Sequence, residues 1–136
     1  MTSFMAEGIA GSLRAYCKDR EDILLAFIFG SAVSGRLTKE SDVDVAVLFR
    51  NKPDFSEVLR IRDGASEATG REIDLVLLNN ASPVICMQVL RAGKLIKSEG
   101  ASVYSNFVVK TVKEYADLKQ IRKEAEAHIL RGRIYA

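Results

Sequence analysis

Cysteine and proline are scarce in this sequence, with two of each in 136 residues, and there is a single histidine. Cys17 and Cys86 stand far apart inside apolar segments, without Cys-x-x-Cys or Cys/His spacing, so neither a zinc site nor a disulfide framework has ligands to build on. Both read as buried, reduced core thiols. His128 lies in a charged stretch and reads as a surface residue with no catalytic role. No apolar run approaches the roughly 20 residues of a membrane span, and Met1 to Phe4 lacks the basic cluster and apolar stretch of a secretory signal. The expectation is a cytoplasmic protein without a membrane partner. Charge of one sign is also missing. Twenty Lys and Arg against eighteen Asp and Glu leave +2, too little to serve as an electrostatic footprint for nucleic acid. The surplus is confined to the last 27 residues, where seven basic residues face four acidic ones. That segment is a candidate docking surface.

What is present is the composition of a globular chain: 48% hydrophobic and 28% charged residues, at a length that fits one compact domain spanning 1–136. Met5, Ile9, Leu13 and Tyr16 recur at helical spacing over 3–18. Ile23–Phe29 and Val43–Phe49 are short continuous apolar runs, the pattern of strands buried on both faces. Asp54–Thr69 reads as a helix closed by Gly70, with Gly64 weakening its second half. Ile73–Leu78 predicts a third strand and Asn79-Asn80 a turn. Ser82-Pro83 supplies the cap and first-turn proline of a helix to Leu90, whose Val84, Ile85, Met87 and Leu90 are expected in the core. Lys94–Lys97 suits an exposed edge strand, and about 101–131 one long helix with an apolar stripe from Phe107 through Ile121 to Ile129. This order predicts an α/β (α+β) layer fold, a small sheet flanked by helices.

The chemistry concentrates between Phe29 and Val47: strand, Gly30-Ser31, ten residues, Asp42-Val43-Asp44, strand. Side chains alternate along a strand, so Asp42 and Asp44 project to one side, with Ala46 and Leu48 following them and Val43, Val45, Val47 and Phe49 on the other. Two carboxylates about 4 Å apart repel by on the order of 4 kcal/mol at an effective dielectric near 20. Where the strand enters the core, desolvation adds to this, so protonation or a divalent cation must offset it. Hard oxygen ligands without histidine or thiolate favour Mg²⁺ or Mn²⁺ over zinc. Asp74, the lone charge in the apolar run of Ile73–Leu78, is the candidate third carboxylate of a two-metal site, with Glu72 close by. Gly30-Ser31 lets backbone amides and a hydroxyl approach a phosphate. Alone, a Gly-Ser after a strand is mostly just a turn or a helix cap, and an isolated Asp-x-Asp is a similarly weak signal. Together they describe a site that holds a nucleoside triphosphate through its phosphates and metal.

With these residues the chain resembles the minimal nucleotidyltransferases of the polymerase beta superfamily, marked by Gly-Ser, ten residues, Asp-x-Asp and a later strand Asp. The resemblance is strongest from Ile23 to Leu78. A short chain with a long terminal helix ending in Arg131-Gly132-Arg133-Ile134-Tyr135 looks, within that superfamily, like the MntA-type antitoxins of type VII toxin-antitoxin pairs. The resemblance implies a small mixed sheet in a polymerase-beta-like nucleotidyltransferase fold. It also implies transfer of AMP from ATP to a tyrosine hydroxyl of a cognate HEPN-domain ribonuclease toxin, with two Mg²⁺ ions as cofactors. By the same resemblance Asp42, Asp44 and Asp74 are metal-binding catalytic acids, and Gly30 and Ser31 contact the phosphates. Many relatives carry an Arg where this chain has Ser34, which leaves Arg36 and Lys39 as candidates to steady the triphosphate. Two other readings are an aminoglycoside-type acceptor, which usually needs a second domain or a dimer, and a stoichiometric toxin-masking module with an idle nucleotide site. A template-directed polymerase lacks both the basic surface and the length.

Overall fold

A computed structural model describes residues 2–34, 37, 38 and 41–135, with side chains described for all of these except 2–6, 31, 34 and 133–135. The chain runs α1 (Thr2–Cys17), β1 (Ile23–Phe29), α2 (Ser31–Ser34), β2 (Val43–Phe49), α3 (Phe55–Thr69), β3 (Ile73–Leu77), α4 (Pro83–Ala92), β4 (Lys94–Ser98) and α5 (Ala101–Tyr135). The strands form one sheet in the order β3-β2-β1-β4. β1 pairs antiparallel with both β2 and β4, whereas β2 and β3 run parallel, a connection that needs a crossover and obtains it from α3. The sheet is therefore mixed and carries helices on both faces, as the sequence predicts.

Alternation along β2 decides what each face buries. Val43, Val45, Val47 and Phe49 join Ile9, Leu13 and Cys17 of α1 and Ile61 and Ala65 of α3 in one core. Ala46, flanked by half-buried Leu48, joins Leu25, Phe27, Cys86 and Val89 of α4 and Phe107 of α5 in the other. Both cysteines are free and buried, and burial pushes both thiols up from their ordinary pKa.

Local chemistry sets the helix ends. Asp54 Oδ1 accepts from the Glu57 amide at 2.8 Å and from Ser56 Oγ at 2.9 Å, and Gly70 closes α3 in the left-handed region at φ 68°. Ser82 caps α4, with Pro83 in its first turn. The mid-helix Gly64 is a packing device: a Cβ there would fall 2.1 Å from Tyr16 Oη, so the α1 ring rests directly on α3. Asn79 clasps Phe49 from the turn after β3, accepting from its N–H at 2.9 Å and donating to its C=O at 3.0 Å.

Several expectations need correction. The ten-residue stretch between Gly30-Ser31 and Asp42, for which no element is read from the sequence, starts with a helical turn, Ser31–Ser34, that buries Ala32. In α4, Met87 is buried but Ile85 turns outward. β4 is an edge strand with Lys94 exposed, as expected, but Lys97 is not an exposed edge lysine. Its side chain is only 9% exposed, donates to the Arg20 carbonyl and pairs with Glu99 at 3.3 Å. The last helix is longer than 101–131, and its stripe seals only the first half. Phe107 and Thr111 are buried, Val108, Tyr115 and Leu118 half-buried, and every described side chain from Lys119 to Gly132 is exposed, Ile121 and Ile129 included.

Candidate active site

Four chain segments meet at one end of the sheet: the end of β1, the start of β2, the start of β3 and the loop entering β2. Asp44, the second residue of β2, faces Phe29 across the antiparallel pair and Asp74 across the parallel pair. Adjacent strands lie about 4.8 Å apart, so Asp44 and Asp74 present their carboxyls side by side on the face that carries Ala46. Asp42 precedes β2 by one residue. Asp42 and Asp74 are exposed, and Asp44 is half-buried. The apolar run around Asp74 does not enclose it: β3 is an edge strand, and its acid stands at the sheet's rim beside another acid. The rim location keeps the cost of three neighbouring charges low enough to fold.

The Asp44 carboxyl is raised above the ordinary carboxylate range. Burial is the largest cause, followed by the negative charge of Asp74, a hydrogen bond with Asp74, and the charge of Asp42. Asp44 thus couples more strongly to Asp74 than to its sequence neighbour Asp42. Glu72, the other acid near Asp74, is drawn away toward α3, where it lines a cavity of about 320 Å³ with Arg62, Asp63, Ser66 and Ile73.

Gly30 ends β1 at φ +72°, and a Cβ on it would sit 2.1 Å from Asp44 Oδ2. The glycine is needed for its conformation and for the space the carboxylate occupies. Ser31 follows as the first residue of α2, and its side chain lies outside the described residues. Arg36 and Lys39 lie outside them as well. Ahead of β2, Ser41 Oγ accepts from the Thr38 amide at 2.9 Å and the Ser41 amide donates to the Thr38 carbonyl at 3.3 Å. Arg71, which the sequence did not single out, reaches the carbonyls of these two residues from the start of the β3 segment.

Among the described residues, no group of three His, Cys, Asp or Glu side chains is gathered tightly enough to hold a metal ion unaided. The donor set nevertheless fits Mg²⁺. That ion is commonly held by one or two carboxylates, with waters and substrate phosphates filling the remaining positions, and the close Asp44–Asp74 pair supplies such a partial shell. The arrangement suits a metal that arrives with a phosphate ligand.

A mixed sheet bearing paired acids at its rim, next to a glycine that ends the first strand, defines a nucleotidyltransferase. The chain belongs to the polymerase beta nucleotidyltransferase family, whose family model matches residues 12–101. Among characterised relatives, it is 32% identical over 99 residues to the protein adenylyltransferase MntA of Shewanella oneidensis, a match covering 73% of this chain and 70% of that one. Solved structures agree with this placement. A chain from a crystal structure of a toxin-antitoxin with AMP-PNP superposes with a TM-score of 0.74 at 27% identity, covering 89% of this chain and 98% of the other. A chain from a complex of tri-AMPylated Shewanella oneidensis HEPN toxin with MNT antitoxin gives 0.66 at 26% identity, covering 96% and 99%. No helix among the described residues is long and apolar enough to cross a membrane.

Proposed function

We propose that this chain is a cytoplasmic antitoxin that transfers AMP from ATP to a tyrosine hydroxyl of a cognate HEPN-domain ribonuclease toxin and so neutralises it. The observation that carries the reading is the Asp44–Asp74 pairing beside Gly30, in a member of a family whose relatives include a protein adenylyltransferase. The structural relatives, a toxin-antitoxin with AMP-PNP and a tri-AMPylated HEPN toxin complex, support ATP as donor and a toxin as acceptor. Residues 1–136 act as one minimal nucleotidyltransferase domain. Exposed Ile121, Ile129 and Leu130 on the basic second half of α5 support that helix as the face that meets the toxin.

In this reading Asp42, Asp44 and Asp74 are the residues that would hold two Mg²⁺ ions, which when bound would neutralise phosphate charge and make the acceptor hydroxyl more acidic. The backbone at Gly30 and Ser31 orients the phosphates, and no nucleic acid takes part. The acceptor oxygen bonds to the α-phosphorus as the bond to the pyrophosphate oxygen breaks, and Asp74 accepts the hydroxyl proton.

The test is intact-mass measurement after incubation with ATP, Mg²⁺ and the product of the neighbouring reading frame. The reading predicts one or more AMP additions on the partner, mapped to tyrosine by fragmentation. A tight complex that abolishes toxicity without any mass change would replace it with the masking module.

A further inference from the structure

Asp42 is exposed and lies outside the regular strand, so nothing in its own side-chain packing fixes where its carboxylate points. Its backbone is fixed from elsewhere. The Arg71 guanidinium donates from Nη1 to the Thr38 carbonyl at 2.5 Å and to the Ser41 carbonyl at 3.2 Å. The adjacent Glu72 carbonyl accepts from the Val43 amide at 2.9 Å. The Ser41 carbonyl belongs to the peptide plane before Asp42, and the Val43 amide to the plane after it. Each plane is rigid, so the two planes that flank Asp42 are both tethered by the single dipeptide Arg71-Glu72. The dipeptide is itself anchored. Ser66 Oγ donates to the Arg71 carbonyl at 2.6 Å, and the Arg71 amide donates to Thr69 Oγ1 at 3.3 Å, both at the end of α3.

We infer that Arg71 is a positioning residue: it holds the Thr38 and Ser41 carbonyls so that Asp42 presents its carboxylate to the cation shared with Asp44 and Asp74. The inference rests on the metal reading proposed above and adds the residue that preorganises the weakest-held member of the acidic set. A guanidinium suits the task because one nitrogen can serve two carbonyls and the group stays charged at every working pH. Outer partners of metal ligands are commonly worth 10- to 100-fold in metal affinity.

Sign separates positioning from simple electrostatics. A positive charge near an acidic site repels a cation, so if Arg71 acted only through its charge, removing it would tighten metal binding. Positioning requires the opposite.

The experiment titrates Mn²⁺, supplied together with a non-hydrolysable ATP analogue, by electron paramagnetic resonance into the full-length wild type and into Arg71→Ala and Arg71→Lys, with thermal melting of each. Arg71→Ala is expected to weaken Mn²⁺ binding about tenfold while still melting cooperatively, and Arg71→Lys, which keeps the charge and one donor, to recover part of the loss. Wild type that binds Mn²⁺ alongside an Arg71→Ala that binds it equally or more tightly overturns the inference and leaves the metal reading standing. Wild type that binds no Mn²⁺ overturns both. If Arg71→Ala does not fold, Arg71→Lys decides alone: at an unchanged melting temperature, a threefold or greater loss of Mn²⁺ affinity supports positioning, and a smaller or no loss overturns it.

Discussion

Gly30 stands against Asp44 so closely that its missing side chain is the space the carboxylate uses: a Cβ would fall 2.1 Å from Oδ2 and 3.1 Å from Cγ. Its φ of +72° adds backbone strain for any other residue. Gly30→Ala is therefore expected to push Asp44 off its position and lower AMP transfer by about 100-fold, the scale of a 1 Å misplacement of a reacting group. Stability should fall by roughly 1–3 kcal/mol. Initial rates and denaturant melts check both, and near-wild-type transfer would show that the contact does not matter.

Asp44→Asn should reduce transfer by at least about 100-fold, because it removes a charge that offsets several kcal/mol at the transition state. In the metal-free protein it should melt at or above the wild-type temperature. The folded-state pKa of Asp44 is raised, so its contribution to stability is complete below the ordinary value of 3.8 and is lost as pH rises through the higher folded value. At neutral pH the wild type has lost that contribution and the amide has not. Melting curves at neutral pH in chelator, beside transfer assays with Mg²⁺, test the two halves separately.

Asp54 predicts the reverse pH dependence. Its carboxylate is lowered below 3.8 by the Glu57 amide and the Ser56 hydroxyl, so its capping contribution is present above that value and disappears as pH falls through the depressed one. Asp54→Asn keeps an acceptor oxygen but does not titrate. Between mildly acidic and strongly acidic pH, the wild type should lose melting temperature faster than the variant. Parallel curves would contradict the cap.

Tyr16 Oη is buried without a hydrogen-bond partner among the described residues, while its ring packs against Gly64 and under the Arg20 guanidinium at 4.3 Å. Tyr16→Phe should leave stability equal or raise it by up to about 1 kcal/mol, since the ring contacts stay and an unsatisfied hydroxyl goes. Gly64→Ala should destabilise despite alanine's higher helix propensity, because its Cβ must displace that ring. Chemical denaturation of the two variants distinguishes these opposite effects.

β1 and β2 were legible because each is a short apolar run with abrupt ends: Ile23–Phe29 stops at Gly30, and Val43–Phe49 stops at Arg50. Capping chemistry marked α3 and α4 within a residue or two. What could not be read came from the third dimension. A lone acid in an apolar run looks buried, and only the sheet order reveals that β3 lies at an edge and exposes Asp74. The stripe along α5 shows a face but not how far a partner surface extends beneath it. Arg71 left no signal because it acts on backbone carbonyls 33 and 30 residues earlier, which any side chain at Thr38 or Ser41 would offer. Gly64 read as a weakness in a helix until the Tyr16 ring was found on it.

The acids at the sheet's rim are proposed to hold the metal that carries ATP. Anomalous diffraction from crystals grown with Mn²⁺ and a non-hydrolysable ATP analogue tests this. Manganese density is expected between Asp44 and Asp74, with Asp42 in its shell and the triphosphate against Gly30-Ser31. Nucleotide bound elsewhere, with no manganese at these carboxylates, would contradict it.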